Sequence, residues 1–240
     1  MSLNLVIIPT YNEFENIGLL LKHIISLPVI FHILVVDDNS PDGTAGLVEQ
    51  LQEEYPNRIF LEKRIGKLGL GTAYIHGFKW ALERNYDYIF EMDADFSHNP
   101  DDLIRLYDKC SSENLDMVVG SRYVNGVNVV NWPMSRVLLS YIASKYVRLI
   151  TGMDLYDTTA GFVCYSQKLL SQIKLDNISF VGYAFQIEMK FHAYLLNCKI
   201  AEIPIIFTDR TRGISKMSKE IISEAIFGVV QMKLKSFFSK

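Results

Sequence analysis

Strand and helix patterns alternate through the first half of this 240-residue chain. Short apolar runs rich in Val, Ile and Leu predict buried strands, and the segments between them carry apolar residues at helical spacing. The predicted strands are residues 3–9, 31–37, 59–63, 88–92 and 116–120, and the predicted helices are 14–26, 44–55, 72–85 and 101–110. This alternation indicates β-α-β units and an α/β fold with a mostly parallel central sheet.

The second half of the chain is less regular. It contains predicted helices at 134–150, 184–197 and 219–238, predicted strands at 162–166 and 200–207, and a polar, basic loop at 208–218. The first and last of these helices are amphipathic. Because no linker or repeat separates the two halves, we expect a single domain over 1–240, with a first half at 1–123 and a second half at 124–240.

Charge and composition exclude several classes of protein. The formal net charge is −3, so no overall positive field draws the chain to nucleic acid. Residues 208–240 nevertheless hold seven Lys and Arg against three Asp and Glu, which suits an anionic partner. No segment is long and apolar enough to span a membrane, and the three cysteines lack Cys-x-x-Cys spacing. We therefore expect a cytoplasmic protein that is soluble or peripheral to a membrane.

Polar residues follow four of the predicted strands at the point where each strand ends. These segments are 9–13, 37–43, 93–95 and 121–123. In open α/β sheets, ligands bind at the edge formed by the carboxyl ends of the parallel strands. The sequence therefore predicts a ligand site assembled from these segments.

Asp93 and Asp95 are two carboxylates separated by one residue, directly after an apolar strand. Carboxylate oxygens are hard ligands that suit Mg²⁺ or Mn²⁺, and one or two of them commonly hold such an ion together with substrate phosphates. The same pattern also occurs in ordinary turns, because Asp forms local hydrogen bonds there. The five histidines have no metal-ligand spacing, and we expect them to be structural or at the surface.

Other charged residues on the predicted edge leave similar choices open. Asp38 is compatible with a turn or with a carboxylate that binds a nucleobase or ribose. Arg122, which follows an apolar strand, could bind a phosphate or form a surface salt bridge. Arg210, Arg212 and Lys216 share one loop, a pattern typical of solvated charge and also of a loop that closes over a phosphorylated substrate.

The predicted helix 134–150 combines basic and apolar side chains. Arg136 and Arg148 lie on a polar stripe, and Trp132 stands just before the helix. Such a helix either serves solubility or lies in a membrane interface, where basic residues meet lipid phosphates and apolar residues contact acyl chains.

Six segments carry a resemblance to a known family. They are 8–16 (IPTYNEFEN), 36–44 (VDDNSPDGT), 66–74 (GKLGLGTAY), 92–100 (MDADFSHNP), 120–123 (GSRY) and 209–216 (DRTRGISK). Together they resemble the inverting family 2 glycosyltransferases, in particular dolichyl- or polyprenyl-phosphate mannose synthases. The resemblance covers essentially the whole chain. It implies the GT-A fold, a Rossmann-like, mostly parallel central sheet flanked by helices, with C-terminal amphipathic helices.

The resemblance also implies roles for individual residues. Pro9, Tyr11, Glu13, Val36 and Asp38 would hold the nucleoside of GDP-mannose. Asp93, Ala94 and Asp95 would hold the diphosphate and a Mg²⁺ or Mn²⁺ ion, with Asp95 the direct ligand and Ser97 a further one. Arg122, Arg210 and Lys216 would contact phosphates of donor and acceptor, and Arg122, Arg136 and Ser140 the lipid phosphate. Asp95 and Arg122 would be the catalytic residues.

The implied reaction needs no general base. A phosphate monoester is already largely anionic at neutral pH, so we expect direct displacement with inversion onto dolichyl or polyprenyl phosphate. A hydroxyl acceptor would instead require a base, for which Asp157 is the candidate. A UDP-glucose donor and a non-catalytic nucleotide-binding or scaffold subunit are the remaining alternatives.

Some relatives differ from this chain in ways that bear on its location. Some carry Gln in place of Ser97, and others carry C-terminal membrane spans that are not found here. We therefore expect the protein at the cytoplasmic face of a membrane, held by its own surface or by a membrane-anchored partner protein.

Overall fold

The computed structural model describes residues 2–182, 184–209 and 219–238. The first half contains β1 (Asn4–Thr10), α1 (Phe14–Ser26), β2 (His32–Asp37), α2 (Thr44–Glu54), β3 (Ile59–Lys63), α3 (Leu70–Glu83), β4 (Tyr88–Glu91), α4 (Asp102–Ser112) and β5 (Met117–Ser121). The second half contains β6 (Val129–Val130), α5 (Met134–Thr151), β7 (Val163–Ser166), α6 (Gln167–Gln172), a 3-10 turn (Leu175–Asn177), α7 (Ala184–Leu195), β8 (Ile200–Pro204), β9 (Phe207–Thr208) and α8 (Lys219–Phe238).

A seven-stranded sheet forms the centre of the molecule, in the order β3-β2-β1-β4-β7-β5-β8. All neighbouring strands are parallel except at β7, which runs antiparallel to both β4 and β5. The amino end of β7 therefore lies at the same edge as the carboxyl ends of the other strands. As a result, the segment that precedes β7, residues 157–161, also reaches the edge where the site was predicted.

The hydrophobic core lies on both faces of this sheet. Side chains alternate along a strand, so the neighbours Val6 and Ile7 of β1 enter opposite clusters. Ile7 shares its cluster with Tyr74 of α3, and Val6 shares its cluster with Leu20 of α1. Gly77 allows α3 to lie close to β1, because a Cβ there would come within 2.7 Å of the Ile7 side chain. These two layers of helices fix the sheet edge as a rigid platform.

A third, smaller cluster joins three helices of the second half. Val147 of α5, Phe191 of α7 and Val229 of α8 are buried together. This packing places α5 beside the sheet edge. In the described part of the chain, none of the helices combines the length and apolar character that a membrane span requires.

The predicted and observed elements agree closely in the first half, where each bound differs by two residues or fewer. In the second half the predicted strand 200–207 is divided into β8 and β9. The chain leaves β5 after Ile205, whose N–H donates to the Ser121 carbonyl at 3.0 Å, and β9 then pairs with β6. The two-residue β6, the helix α6 and the 3-10 turn were not predicted, because such short elements carry too little periodicity.

Candidate active site

A pocket of about 400 Å³ opens at the sheet edge, between the ends of β4, β5 and β7 and the side of α5. Six residues singled out from the sequence line it: Asp93, Asp95, Ser97, Arg122, Arg136 and Ser140. They come from three segments that are far apart in the chain. The topology therefore brings the predicted acidic turn, the predicted phosphate-binding arginine and the predicted lipid-phosphate residues to one cavity.

The acidic turn after β4 is tightly organised. Asp95 is buried, and its Oδ1 accepts hydrogen bonds from the backbone N–H and the hydroxyl of Ser97, at 3.0 and 2.6 Å. Phe96 between them has a φ of 60°, a left-handed conformation that is uncommon for a bulky residue. This turn gathers the oxygens of Asp95 and Ser97 in one place, with Asp93 on the wall of the same pocket. These hard oxygen donors fit Mg²⁺ or Mn²⁺, which also take ligands from substrate phosphates.

His98 is a site residue that the sequence analysis did not identify. The Asp93 backbone N–H donates to His98 Nδ1 at 3.2 Å, and the ring stacks on Phe162 with centroids 4.8 Å apart. Burial is the main cause that lowers the pKa of His98 to about 4, against the opposing charge of Asp95. The ring is therefore neutral near pH 7 and holds the acidic turn in place as an acceptor. The sequence did offer one signal for this role, because His98 stands only three residues after Asp95.

Arg122 forms a buried pair with Asp157. Its Nε and Nη2 donate to the two carboxylate oxygens of Asp157 at 2.7 and 2.6 Å, and its backbone N–H donates to the same carboxylate at 2.9 Å. The hydroxyl of Thr159 accepts a further bond from Nη2 at 2.8 Å. Such a bidentate, charge-assisted arrangement fixes the plane of the guanidinium beside the pocket.

The same pair decides what Asp157 can do. Burial raises the pKa of Asp157, but the charge and hydrogen bonds of Arg122 outweigh burial and hold that pKa below its usual value. A carboxylate that is anionic, fully buried and bound to an arginine is poorly placed to accept a proton from a substrate hydroxyl. Asp157 therefore orients Arg122. The sequence signal for this was weak, since a polar run before a strand reaches this edge only if that strand is antiparallel.

Aromatic side chains surround the basic part of the pocket. The Arg136 guanidinium lies 4.0 Å from the ring centroid of Trp132 and forms an ion pair with Asp209 at 3.1 Å. Trp132 also contacts Phe207 edge-to-face, with centroids 5.2 Å apart. Trp132 therefore serves as a wall of the pocket rather than as part of an interfacial helix. Arginines stacked on aromatic rings keep their donors directed at a ligand.

The predicted nucleoside residues form a separate group at the ends of β1 and β2. Lys67 lies 5.1 Å from the ring centroid of Tyr11, and Asp38 pairs with Arg64 at 2.5 Å. Asp37 and Asp38 are adjacent carboxylates that repel each other, and the positive charge of Arg64 reduces this repulsion. Glu13 accepts a bond from Asn16, Pro9 is partly exposed, and Val36 is fully buried in the core. For Val36, only main-chain atoms remain for contact with a ligand.

Two predicted site residues, Arg210 and Lys216, lie outside the described residues, as does Arg212. The described chain before this gap ends at Asp209, which lines the pocket. Within the described parts of the chain, no group of three His, Cys, Asp or Glu side chains converges on a common point.

Comparisons with known proteins identify the family. Residues 5–174 match the family described as Glycosyl transferase family 2. The polyprenol monophosphomannose synthase of Mycolicibacterium smegmatis is 44% identical over 227 residues, which cover 95% of this chain and 85% of that protein. The undecaprenyl-phosphate mannosyltransferase of Micrococcus luteus is 44% identical over 230 residues, which cover 96% of this chain and 93% of that protein.

Solved structures support the same fold. Glucosyl-3-phosphoglycerate synthase from Mycobacterium tuberculosis, in complex with Mn²⁺, UDP and phosphoglyceric acid, matches with a TM-score of 0.69 at 15% identity, covering 98% of this chain and 78% of that one. A mannosyltransferase from Pyrobaculum calidifontis, in complex with GDP-Man and Mn²⁺, matches with a TM-score of 0.59 at 17% identity, covering 99% of this chain and 64% of that one. The predicted mostly parallel GT-A sheet is confirmed, and the chain belongs to glycosyl transferase family 2 and is a hexosyltransferase.

Proposed function

We propose that this enzyme transfers mannose from GDP-mannose to the phosphate of a dolichyl or polyprenyl phosphate, with a Mg²⁺ or Mn²⁺ ion. The two relatives at 44% identity are named for mannose transfer to such lipid phosphates. The observation that carries the proposal is the composition of the pocket, which joins an acidic turn, two arginines and an apolar wall. A lipid phosphate and a sugar diphosphate are the ligands that need all three.

The apolar wall supports a lipid acceptor. It comes from α5, where Leu139, Ala143 and Val147 line the pocket and follow one another about one helical turn apart. Arg136 and Ser140 of the same helix also line the pocket. In the proposed complex, Arg136 and Ser140 bind the acceptor phosphate while the first part of the hydrocarbon chain lies against the apolar side chains. A small soluble acceptor has no use for such a wall.

The acidic turn supports a nucleoside diphosphate sugar as donor. A Mg²⁺ or Mn²⁺ ion held by Asp95, Ser97 and Asp93 would supply positive charge to the diphosphate. Arg122 adds a fixed positive charge beside it, where negative charge develops as GDP leaves. Pro9, Tyr11, Glu13, Val36 and Asp38 would hold the nucleoside, and Arg210 and Lys216 would contact phosphates from the loop after Asp209.

We infer that the reaction is a direct displacement with inversion. An oxygen of the acceptor phosphate attacks the anomeric carbon from the side opposite GDP, the bond to the diphosphate oxygen breaks, and the electron pair leaves on GDP. Because the acceptor is already an anion, no side chain has to remove a proton. The pairing of Asp157 with Arg122 favours this over a hydroxyl acceptor, for which Asp157 was the candidate base.

The exposed surface supports a peripheral membrane location, which we propose to be at the cytoplasmic face. Large apolar side chains are exposed on α5 at Leu138, Ile142 and Leu149, and on α8 at Phe227 and Phe237. Helices that present apolar side chains beside basic ones bind the interface of a bilayer, where a polyprenyl phosphate resides. A membrane-anchored partner protein that covers part of this surface is compatible with the same proposal.

A product analysis tests the function. The enzyme is incubated with Mn²⁺, a short polyprenyl phosphate and, in separate reactions, GDP-mannose, GDP-glucose, UDP-glucose or UDP-galactose, and products are identified by mass. We expect a hexosyl polyprenyl phosphate from GDP-mannose alone, and none after chelation with EDTA. Transfer from UDP-glucose but not from GDP-mannose would refute the donor assignment, and transfer only to hydroxyl acceptors would refute the acceptor assignment.

A further inference from the structure

A lysine is buried in α7 beneath the pocket. The Lys190 side chain is fully buried, and its Nζ donates to the carbonyl of Ala160 at 2.6 Å. The carbonyl and the side-chain oxygen of Gln186 accept its remaining bonds at 3.2 and 3.3 Å. These three acceptors satisfy all three N–H groups of an ammonium. The proposed reaction assigns no chemical step to Lys190, so the burial of this lysine needs a different explanation.

The Ala160 carbonyl belongs to the segment that orients Arg122. Within residues 157–161, Asp157 and Thr159 hold the Arg122 guanidinium, and Ala160 itself lines the pocket. The segment enters β7 at one end, and at its other end the Asp157 backbone N–H donates to Glu202 of β8 at 2.9 Å. The bond from Lys190 is a further anchor, placed between the Arg122 partners and the strand.

Two buried acidic residues interact with Lys190. Glu91 at the end of β4 and Asp157 are both fully buried and both interact with it electrostatically. Burial lowers the pKa of Lys190 to about 8 and raises the pKa of Glu91 to about 8, and the opposite charge of the partner opposes each shift. Apolar residues of similar volume often replace buried ion pairs without loss of stability. Packing alone therefore does not account for a lysine at this position.

We propose that Lys190 is a positioning residue for the transfer reaction: by holding the Ala160 carbonyl, it fixes the 157–161 segment and so orients the Arg122 guanidinium. The part of this inference that concerns phosphate contact rests on the proposed function. The part that concerns the orientation of Arg122 does not, because it can be measured in the protein without substrate.

Lys190→Met tests the inference by two independent readouts. The first is the NMR signal of the Arg122 Nε–H, identified by its absence in Arg122→Lys. In the wild type this buried, hydrogen-bonded group exchanges slowly with solvent, and in Lys190→Met we expect a shifted signal with faster exchange. The second is kcat/KM for transfer, which we expect to fall roughly ten- to hundredfold, as misplacement of a catalytic group by about 1 Å does.

A double-mutant cycle separates positioning from general damage. If Lys190 acts through Arg122, Lys190→Met causes no further loss of kcat/KM in the Arg122→Lys background. Lys174→Met, an exposed lysine of the same half, is the matched control and leaves both readouts unchanged. If Lys190→Met does not fold, the double variant Glu91→Gln/Lys190→Met removes both of these buried titratable groups and takes its place, with the same expected losses.

The outcomes are distinct. A wild-type Arg122 signal in the folded variant, or a kinetic loss that is fully additive with Arg122→Lys, overturns the positioning role. If the wild type transfers no mannose to polyprenyl phosphate, the proposed function fails, and the NMR signal alone then decides the role of Lys190.

Discussion

The Arg122 guanidinium is held on one side by Asp157 and Thr159 before any substrate arrives. Its Nη2 lies 2.6 Å from Asp157 and 2.8 Å from Thr159, and the side chain is 9% exposed. The conformational entropy of a long side chain is therefore lost on folding and not on binding. An arginine arranged in this way provides charge that needs no reorganisation during the reaction, which is the form in which electrostatic stabilisation is strongest.

Asp95 is the residue at which metal dependence can be tested directly. Asp95→Ala removes the carboxylate that gathers the Ser97 donors, so we expect binding of Mn²⁺ together with GDP to be lost and metal-dependent transfer to fall by about a thousandfold or more. The fold is expected to persist, because the turn lies at the sheet edge. Thermal unfolding with and without Mn²⁺ and GDP measures the binding.

Asp101→Ala is the control for this variant. Asp101 is an exposed carboxylate near the same turn, paired with His23. The Asp101→Ala variant should show the same increase in melting temperature as the wild type when Mn²⁺ and GDP are added. An equal increase in Asp95→Ala would contradict the assignment of Asp95 as the metal ligand.

At this scale the sequence predicted the residues that follow strands directly but not their long-range partners. Asp95 and Arg122 were identified because a charge at a strand end reaches the ligand edge. The pairing of Arg122 with Asp157 crosses 35 positions of sequence and depends on the direction of β7. His98 was assigned no site role, because a lone histidine carries no spacing pattern.

The helix α5 presents two different faces. Arg136, Ser140 and Val147 line the pocket, whereas Leu138 and Leu149 are exposed outside it. The helical periodicity predicted its bounds to within one residue, as 134–150 against Met134–Thr151. Which stripe faces the pocket was not predictable, because that depends on packing against α7 and α8 in the third cluster.

Arg136→Ala tests the assignment of one face of α5 to the acceptor phosphate. Loss of a charge-assisted contact to the lipid phosphate should raise KM for polyprenyl phosphate roughly tenfold or more, while KM for GDP-mannose changes little. Steady-state kinetics with each substrate varied in turn provide the measurement.

Arg148→Ala is the matched control on the same helix. Its guanidinium pairs with the exposed Asp154 and does not line the pocket. Both KM values should remain those of the wild type in this variant. Equal increases of both KM values in Arg136→Ala would assign Arg136 to a general structural role.

The strand β2 contains a pH-dependent contact away from the site. His32 Nδ1 and the Tyr86 hydroxyl lie 2.8 Å apart, and burial, followed by the charge of Arg58, lowers the pKa of His32. A histidine whose pKa is lower in the folded state binds fewer protons there than in the unfolded chain. Its contribution to stability is therefore complete above the unfolded pKa of about 6.5 and is lost as the pH falls below it.

The corresponding experiment compares melting temperatures of the wild type and His32→Gln at about pH 7.5, 6.5 and 5.5. We expect the difference in melting temperature between the wild type and His32→Gln to shrink as the pH falls. The contributions of other titrating groups cancel in this difference. Because burial is the larger cause of the shift, Tyr86→Phe should retain the pH dependence. A constant difference between wild type and His32→Gln at all three values would contradict this account.

At the scale of the whole molecule, one sheet edge serves two groups of residues. The residues proposed to hold the nucleoside lie at the ends of β1 and β2, and the pocket lies at the ends of β4, β5 and β7. The alternating first half was predictable because each β-α-β unit is encoded locally. The antiparallel β7 and the β6–β9 pair were not, because their pairing joins residues distant in sequence. The segment before β7 and Phe207 of β9 both line the pocket.

The exposed apolar surface of α5 and α8 lies on the side of the molecule that contains the pocket, because α5 contributes to both. If this surface rests on a bilayer, a polyprenyl phosphate reaches the pocket without leaving the membrane. We therefore expect the wild type to float with vesicles that contain anionic lipid. Leu138→Asp/Leu149→Asp should largely abolish flotation, because two charges would have to enter the interface.

The control is Leu19→Asp, which introduces a charge at a comparably exposed leucine on α1 and should leave flotation unchanged. Transfer to a short, water-soluble polyprenyl phosphate should also be retained by Leu138→Asp/Leu149→Asp, since neither side chain lines the pocket. A double variant that still floats as the wild type does would assign membrane contact to another surface. A double variant that loses activity toward the soluble acceptor would show instead that α5 had been distorted.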